Sequence, residues 1–144
     1  MIATELFARM PAPMAMQILD HAYVAEKPLY KEILARLAKA RRVHPPVLQR
    51  MSRSERHPWM VELLSKPSSI EAAYQCISGW LLATQAPMLT EFLNQTGIPH
   101  DGRGCAETFP ETPPPTDTIK RAVKNILEHH PKDAVIIYLN AFNG

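Results

Sequence analysis

The chain has 144 residues, a length that suits one domain built around one hydrophobic core. Its apolar fraction of 46% and its charged fraction of 21% are typical of globular proteins and exclude a disordered or fibrous chain. Two cysteines exclude a scaffold built on disulfide bonds, and a net charge of +2 alone indicates no class of partner.

Fourteen prolines divide the chain into segments of helix-and-turn length. Because proline fixes φ and lacks an N–H group, a helix tolerates it in the first turn and is disrupted by it in the interior. We therefore predict an all-α fold, a compact bundle or stack of about seven to nine short helices forming a single domain over residues 1–144. The prolines expected to start helices are Pro13, Pro28, Pro46, Pro58, Pro87 and Pro131.

The spacing of apolar residues supports this helical fold. Tyr30, Ile33 and Leu37 fall on one face of a helix predicted over residues 29–43. The last apolar run, 134–139, is apolar on all sides and would also suit a buried strand. Because the sequence offers no partner strand of similar quality, we predict a central helix there.

Neither a membrane span nor a secretory signal is predicted. The longest stretch without a charged residue, 72–90, contains polar residues and a proline that an isolated span would have to bury in lipid. Residues 1–10 lack the basic and apolar regions of a signal peptide. We therefore expect a cytoplasmic protein in which Cys76 and Cys105 are reduced thiols.

A basic segment covers residues 27–57, where nine lysines and arginines are accompanied by two glutamates. Clustered positive charge attracts an acidic protein, an anionic membrane surface or the phosphates of a nucleic acid. The same pattern also suits the solvated face of an amphipathic helix. No aromatic side chain is interleaved for base stacking, since Tyr30 and Trp59 are expected in the core. The candidate surface for an anionic partner consists of Lys31, Arg36, Lys39, Arg42, Arg50, Arg53 and Arg56.

A long loop over residues 98–115 follows Gly97, which is placed to end a helix. Loops of this length inside a small domain are uncommon and often carry function. Asp101 and Gly102 suit a type I′ turn, so we predict a small hairpin over residues 98–105.

The first half of this loop contains a cluster of candidate functional residues: His100, Asp101, Arg103 and Cys105. An enzyme site over 98–107 would use Cys105 as the nucleophile and His100 as its base, with Asp101 orienting the imidazole. Arg103 and the glycine amides would alternatively hold a phosphate. A connector that crosses the surface of the fold explains the same residues.

The sequence contains no zinc-ligand spacing, no paired carboxylates at helical spacing and no phosphate fingerprint, so we assign no catalytic residue, metal or cofactor. The expected function is a non-catalytic helical module that binds another protein. The alternative is a nucleic-acid-associated or other anion-binding protein using the basic segment, and the third option is an enzyme at the 98–107 loop. A homo-oligomer is a further option, because the first helix could place Leu6, Phe7 and Met10 on a second subunit.

Overall fold

The computed structural model describes residues 2–108 and 111–142. Regular structure within these ranges is helical, which confirms the predicted all-α class, and the 134–139 run forms part of the last helix. A single turn of 3-10 helix, Pro67–Ser69, precedes α6. The α-helices in chain order are α1 (Ala3–Arg9), α2 (Ala12–Ala25), α3 (Lys27–Arg41), α4 (Pro45–Arg50), α5 (Arg53–Leu64), α6 (Ile70–Thr84), α7 (Ala86–Thr96), α8 (Thr116–His129) and α9 (Lys132–Phe142).

Contacts divide the chain into two compact units, and the division falls within α6. The first unit contains the described residues up to Gly79 together with the end of α9 from Asn140. The second unit is Trp80–Leu139. The expectation that the whole chain forms one domain stays a prediction.

Most of the prolines stand where the sequence predicts them. Pro13, Pro28, Pro46 and Pro87 lie in the first turn of a helix, where a missing N–H group removes no helical hydrogen bond. Pro131 stands directly before α9 and accepts a hydrogen bond from its backbone.

The prediction that Pro58 starts a helix is wrong. Helix α5 begins at Arg53, is capped by the Ser52 hydroxyl, which accepts from the Glu55 backbone N–H at 3.3 Å, and contains Pro58 in its interior. A proline at this position leaves the Ser54 carbonyl without its usual amide donor. Ser54 and Pro58 are both exposed, so water can bind that carbonyl and the cost of the interruption is reduced.

The core of the first unit is built around α3. Helices α2, α4 and α5 all contact α3, and α1 contacts α5. The predicted apolar face of α3 is buried, because Tyr30, Ile33 and Leu37 are each at most 4% exposed. Leu6 and Phe7 of α1 are also buried, so two of the three side chains that suggested docking on a second subunit lie within their own chain, while Met10 is partly exposed.

The corner between α2 and α3 is formed by Glu26. Its carboxylate lies against Gly79 of α6, where an added Cβ would come within 2.5 Å of Oε2. Among the described residues Oε2 is buried without a hydrogen-bond partner, and Nε2 of His21 lies 4.0 Å from it. A Cβ at position 79 would therefore require the carboxylate to move from this corner.

In the second unit, α7 contacts α8, and Phe92 of α7 meets Tyr138 of α9 edge to face at 5.6 Å between ring centroids. Gly97 ends α7 in a left-handed conformation with φ of 72°, as predicted for a helix C-terminus. The helical form of 134–139 satisfies its backbone hydrogen bonds locally, whereas a buried strand would need a neighbour. No helix in the described ranges is long and apolar enough to cross a bilayer.

Candidate functional site

A groove of about 670 Å³ opens on the first unit at the corner between α2 and α3. Four of its lining residues are cationic, namely Lys27, Lys31, Arg53 and Arg56, and none is a carboxylate. The remaining lining is aromatic, apolar or amide. It is formed by Tyr23, Val24, Tyr30, Leu34, Gln49 and Met51.

Helix geometry explains why the two lysines meet there. Helix α2 ends at Ala25 and α3 begins at Lys27, so a single residue turns the chain between them. Lys27 and Lys31 are four residues apart on α3 and therefore occupy one face of the helix. That face lines the groove, while Ile33 and Leu37 turn into the core.

Arg56 is the most unusual of the four cations because its side chain is buried, with 5% exposure for the residue. Nε donates to the Tyr30 hydroxyl at 2.9 Å, and Nη1 donates to the backbone carbonyls of Leu48 at 3.0 Å and Met51 at 3.4 Å. These carbonyls lie at the C-terminal end of α4, where the helix dipole favours a cation. No carboxylate within the described ranges forms an ion pair with Arg56.

Tyr30 connects Arg56 to a buried histidine. The Tyr30 oxygen lies 2.8 Å from Nε2 of His57, whose Nδ1 lies 3.5 Å from a carboxylate oxygen of Asp20. Burial lowers the pKa of His57 to about 4, although Asp20 acts in the opposite direction. His57 is therefore neutral at pH 7. With its proton on Nδ1 facing Asp20, Nε2 accepts from the Tyr30 hydroxyl.

Tyr30 and Arg53 complete the polar network at the groove. Burial raises the pKa of Tyr30 above its ordinary value, with Arg56 acting in the opposite direction, so the phenol keeps its proton. The Arg53 guanidinium lies 4.6 Å from the ring centroid of Tyr23 and 3.7 Å from the Asp20 carboxylate. Arg53 and Asp20 are both about half exposed, so water weakens this ion pair.

The structure brings three of the seven predicted basic residues, Lys31, Arg53 and Arg56, to this groove. Arg36, Lys39 and Arg50 are exposed and do not line it. Arg42 does not continue the helical face as predicted, because it follows the end of α3 with a left-handed φ of 56°. Arg56 is not a surface residue, since its hydrogen bonds draw it inside.

The predicted basic surface did not include Lys27 or Tyr23, the further cation and the exposed aromatic residue of the groove. Lys27 lies within the basic segment, and its spacing of four residues from Lys31 was the available signal. Tyr23 lies just outside the segment, is 41% exposed and contacts the ring of Tyr30 edge to face at 5.2 Å. Tyr30 is buried, which confirms the expectation that it belongs to the core, and the exposed aromatic ring of the groove comes from Tyr23, outside the basic segment.

The 98–105 loop forms one antiparallel bridge, between His100 and Ala106, and its turn is not of type I′. That turn requires a positive φ at Asp101, but Arg42 is the one non-glycine residue with a positive φ in the described ranges. Asp101 closes the turn with its side chain instead. One carboxylate oxygen accepts from the backbone N–H groups of Arg103 at 2.7 Å and Cys105 at 3.2 Å.

His100 and Asp101, two of the candidate catalytic residues in this loop, are held by local hydrogen bonds. Nδ1 of His100 accepts from the Gly102 N–H at 3.0 Å, so its proton is on Nε2, which donates to the Asn94 side chain. The hydrogen bond from the Arg103 backbone lowers the pKa of Asp101, whose carboxylate is then committed to the turn. Cys105 is exposed, and no hydrogen bond links its thiol to an imidazole within the described ranges. This geometry supplies no activated nucleophile.

A second polar cluster, absent from the sequence prediction, lies in the second unit. Glu91 of α7 binds His129 Nδ1 at 2.9 Å through one oxygen and His130 Nε2 at 2.7 Å through the other. The hydrogen bond with His129 lowers the pKa of Glu91, and the same bond raises the pKa of His129. Across the part of the chain that the structure describes, no group of three or more histidine, cysteine, aspartate or glutamate side chains has the geometry of a metal site.

Neither a protein-family model, nor a curated protein, nor a solved structure matches this chain.

Proposed function

We propose that this chain is a non-catalytic helical interaction module whose basic groove binds an acidic segment of a partner protein. The observation that carries the proposal is the buried guanidinium of Arg56: neutral oxygens accept its hydrogen bonds, and no carboxylate among the described residues pairs with it. A buried charge is costly unless an opposite charge accompanies it. A carboxylate that enters the groove supplies that opposite charge.

Charge around Arg56 favours the same kind of partner. Lys27, Lys31 and Arg53 line the same groove, so an approaching anion meets several cations within a small volume. Such a concentration of one sign raises the association rate and rejects partners of like charge. Asp20 is the nearest carboxylate to Arg53, and it neutralises only part of this charge.

The apolar lining indicates what else the partner segment carries. Val24 is 67% exposed at the groove, and Leu34 and Met51 line it as well. Interfaces usually combine a few desolvated apolar or aromatic contacts with polar ones. We therefore propose a segment in which acidic residues flank an apolar or aromatic side chain.

An acidic peptide suits this groove better than an extended nucleic acid does. Two of the arginines in the basic segment bind carboxylates of this chain, Arg41 to Glu62 at 2.9 Å and Arg53 to Asp20 at 3.7 Å. Phosphate contact along a duplex needs several free cations in succession. The buried position of Arg56 further reduces the charge available to a rigid duplex.

We place the module in the cytoplasm, a proposal supported by its two free cysteines. Burial raises the pKa of the Cys76 thiol to about 12, so this side chain is inert as a nucleophile and as a disulfide partner.

The experiment that tests the proposal is fluorescence anisotropy with a labelled acidic peptide that carries a central leucine or tyrosine. Lys31→Glu should weaken binding at least about tenfold at 50 mM salt, since close charge reversal costs more than 1.4 kcal/mol. Lys39→Glu is the matched control, because it makes the same charge change on an exposed face of α3 outside the groove.

Thermal unfolding of both variants establishes that they remain folded. Equal effects of the two substitutions would indicate general electrostatic attraction and would overturn the proposed groove. Tighter binding of a labelled single strand or duplex than of the peptide, at about 50 and 200 mM salt, would replace the acidic protein with a nucleic acid.

A further inference from the structure

We infer that the anionic group bound by this groove is a phosphate monoester carried by a side chain of the partner segment. This inference rests on the proposed function and narrows it from an acidic segment to a phosphorylated one. Three observations support it: the number of unpaired cations in the groove, the fixed orientation of Arg56, and the mixed lining of the walls.

The first observation concerns charge balance. Lys27, Lys31 and Arg56 all line the groove, and none of the three forms an ion pair with a carboxylate in the described ranges. One carboxylate of a peptide brings a single negative charge and leaves most of this positive charge uncompensated. A phosphate monoester brings a charge of about −1.5 to −2 at neutral pH and three strong acceptor oxygens.

The second observation concerns Arg56 as a hydrogen-bond donor. Its Nε and Nη1 are held by Tyr30 and Leu48, so the plane of the guanidinium is fixed before any ligand arrives. Nη2 donates to no protein acceptor in the described ranges, and it is not among the fully buried unpartnered atoms. An arginine oriented in advance binds a phosphate oxygen with little further loss of side-chain entropy.

The third observation concerns the shape and chemistry of the walls. A volume of about 670 Å³ exceeds what a phosphate group alone needs, so the groove also has room for the side chain that carries it. Leu34 and Met51 provide apolar contact for that side chain, and the exposed ring of Tyr23 provides an aromatic one. The phosphate of a phosphorylated side chain pairs with the cations of the lining, and its carbon atoms contact the apolar and aromatic residues.

The test uses four labelled peptides with the same acidic flanks and a central phosphotyrosine, phosphoserine, tyrosine or glutamate. At pH 7.5 and 150 mM salt, we expect at least one phosphorylated peptide to bind about tenfold more tightly than the tyrosine and glutamate peptides. Lys31→Glu should remove most of this difference, and Lys39→Glu should leave it unchanged. Binding of the phosphorylated peptide should also weaken between pH 7.5 and 5.5, as the phosphate takes up its second proton.

Arg56→Met is the direct test of the guanidinium, and its folding is checked by circular dichroism. Because this variant removes a buried hydrogen-bond donor, the Lys31→Glu result decides the question if Arg56→Met does not fold. Equal affinity for the glutamate and phosphorylated peptides would overturn the phosphate inference and leave the acidic-partner proposal standing.

Three other results would count against the inference. Absence of binding by all four peptides would overturn both proposals. Phosphate-dependent binding that survives Lys31→Glu would place the phosphate outside the groove. Vesicles that contain phosphorylated phosphatidylinositol, if they bind more tightly than every peptide, would assign the groove to a lipid headgroup instead of a partner protein.

Discussion

The Nε atom of Arg56 lies 2.9 Å from the hydroxyl of Tyr30, so a buried cation is held by a phenol instead of a carboxylate. The same hydroxyl lies 2.8 Å from Nε2 of the buried His57. Tyr30 thus accepts from a permanent cation and donates to a neutral imidazole. Tyr30 and Arg56 line the groove and His57 is buried, so this hydroxyl connects the groove to the interior of the first unit.

Removing this hydroxyl should destabilise the first unit. We expect Tyr30→Phe to lower the free energy of unfolding by about 1–3 kcal/mol, because Arg56 and His57 both lose a buried partner. Urea unfolding followed by circular dichroism measures the change. Tyr23→Phe is the control, since Tyr23 is substantially exposed and should change stability by less than about 0.5 kcal/mol. Similar losses in the two variants would contradict the bridging role of Tyr30.

Acidification should destabilise the protein through His57. Its pKa in the folded state is lowered from 6.5 to about 4, so the unfolded chain takes up the proton first as the pH falls. This contribution to stability is fully present above pH 6.5 and is lost progressively as the pH falls from 6.5 to 4, with a total of about 3 kcal/mol. Urea unfolding between pH 7.5 and 4.5 should show the decline.

The matched variants for this pH effect are His57→Gln and His44→Gln. The first removes the buried titrating group and should flatten the decline above pH 4.5, whereas the second changes an exposed histidine and should preserve it. A decline of unchanged size in His57→Gln would assign the pH effect to other groups.

The Glu91 cluster should control the titration of His129. Their hydrogen bond raises the pKa of His129, so Glu91→Gln should shift the titration of the His129 ring protons, followed by NMR, to lower pH. The lowered pKa of Glu91 makes the pair stabilising above about pH 4.5, and the raised pKa of His129 makes it stabilising below about pH 6.5. Both contributions are therefore fully present only between these values. An unchanged His129 titration in Glu91→Gln would show that the pair does not form in solution.

The two glycines of the 98–105 loop should differ in their tolerance of alanine. Gly104 has φ of 103°, and an added Cβ would lie 2.9 Å from the Cβ of Leu89, so Gly104→Ala should cost about 2–4 kcal/mol through strain and displacement of the loop. Gly102 has φ of 80° with nothing within 4 Å of an added Cβ, so Gly102→Ala should cost about 1 kcal/mol. Thermal unfolding compares the two variants. A Gly102→Ala loss as large as that of Gly104→Ala would contradict the contact with Leu89.

Much of the fold was predictable because local signals determine it. The period of Tyr30, Ile33 and Leu37 identifies the buried face of α3, and Gly97 marks the end of α7. Pro58 was mispredicted because the Ser52 cap lies upstream of it and competes with proline as a start signal. Local pattern alone does not reveal that an exposed helix surface lowers the cost of an interior proline.

The candidate site was only partly predictable because burial depends on contacts between distant residues. Arg56 has the sequence appearance of a surface cation, and only its approach to Tyr30, 26 residues earlier, explains why it is buried. Glu91 and His130 are 39 residues apart, and no spacing rule links a carboxylate on one helix to an imidazole at the end of another. Composition identified the basic segment, but tertiary packing selects which of its charges share a groove.

Glu26 lies between Gly79 of α6 and the basic groove. Its carboxylate rests against Gly79, while the next residue along the chain, Lys27, lines the groove. A methyl group on Gly79 would require the Glu26 carboxylate to move, one residue before the first lysine that lines the groove. A substitution at Gly79 would therefore act first on a buried carboxylate beside the groove, from a position that does not line the groove itself.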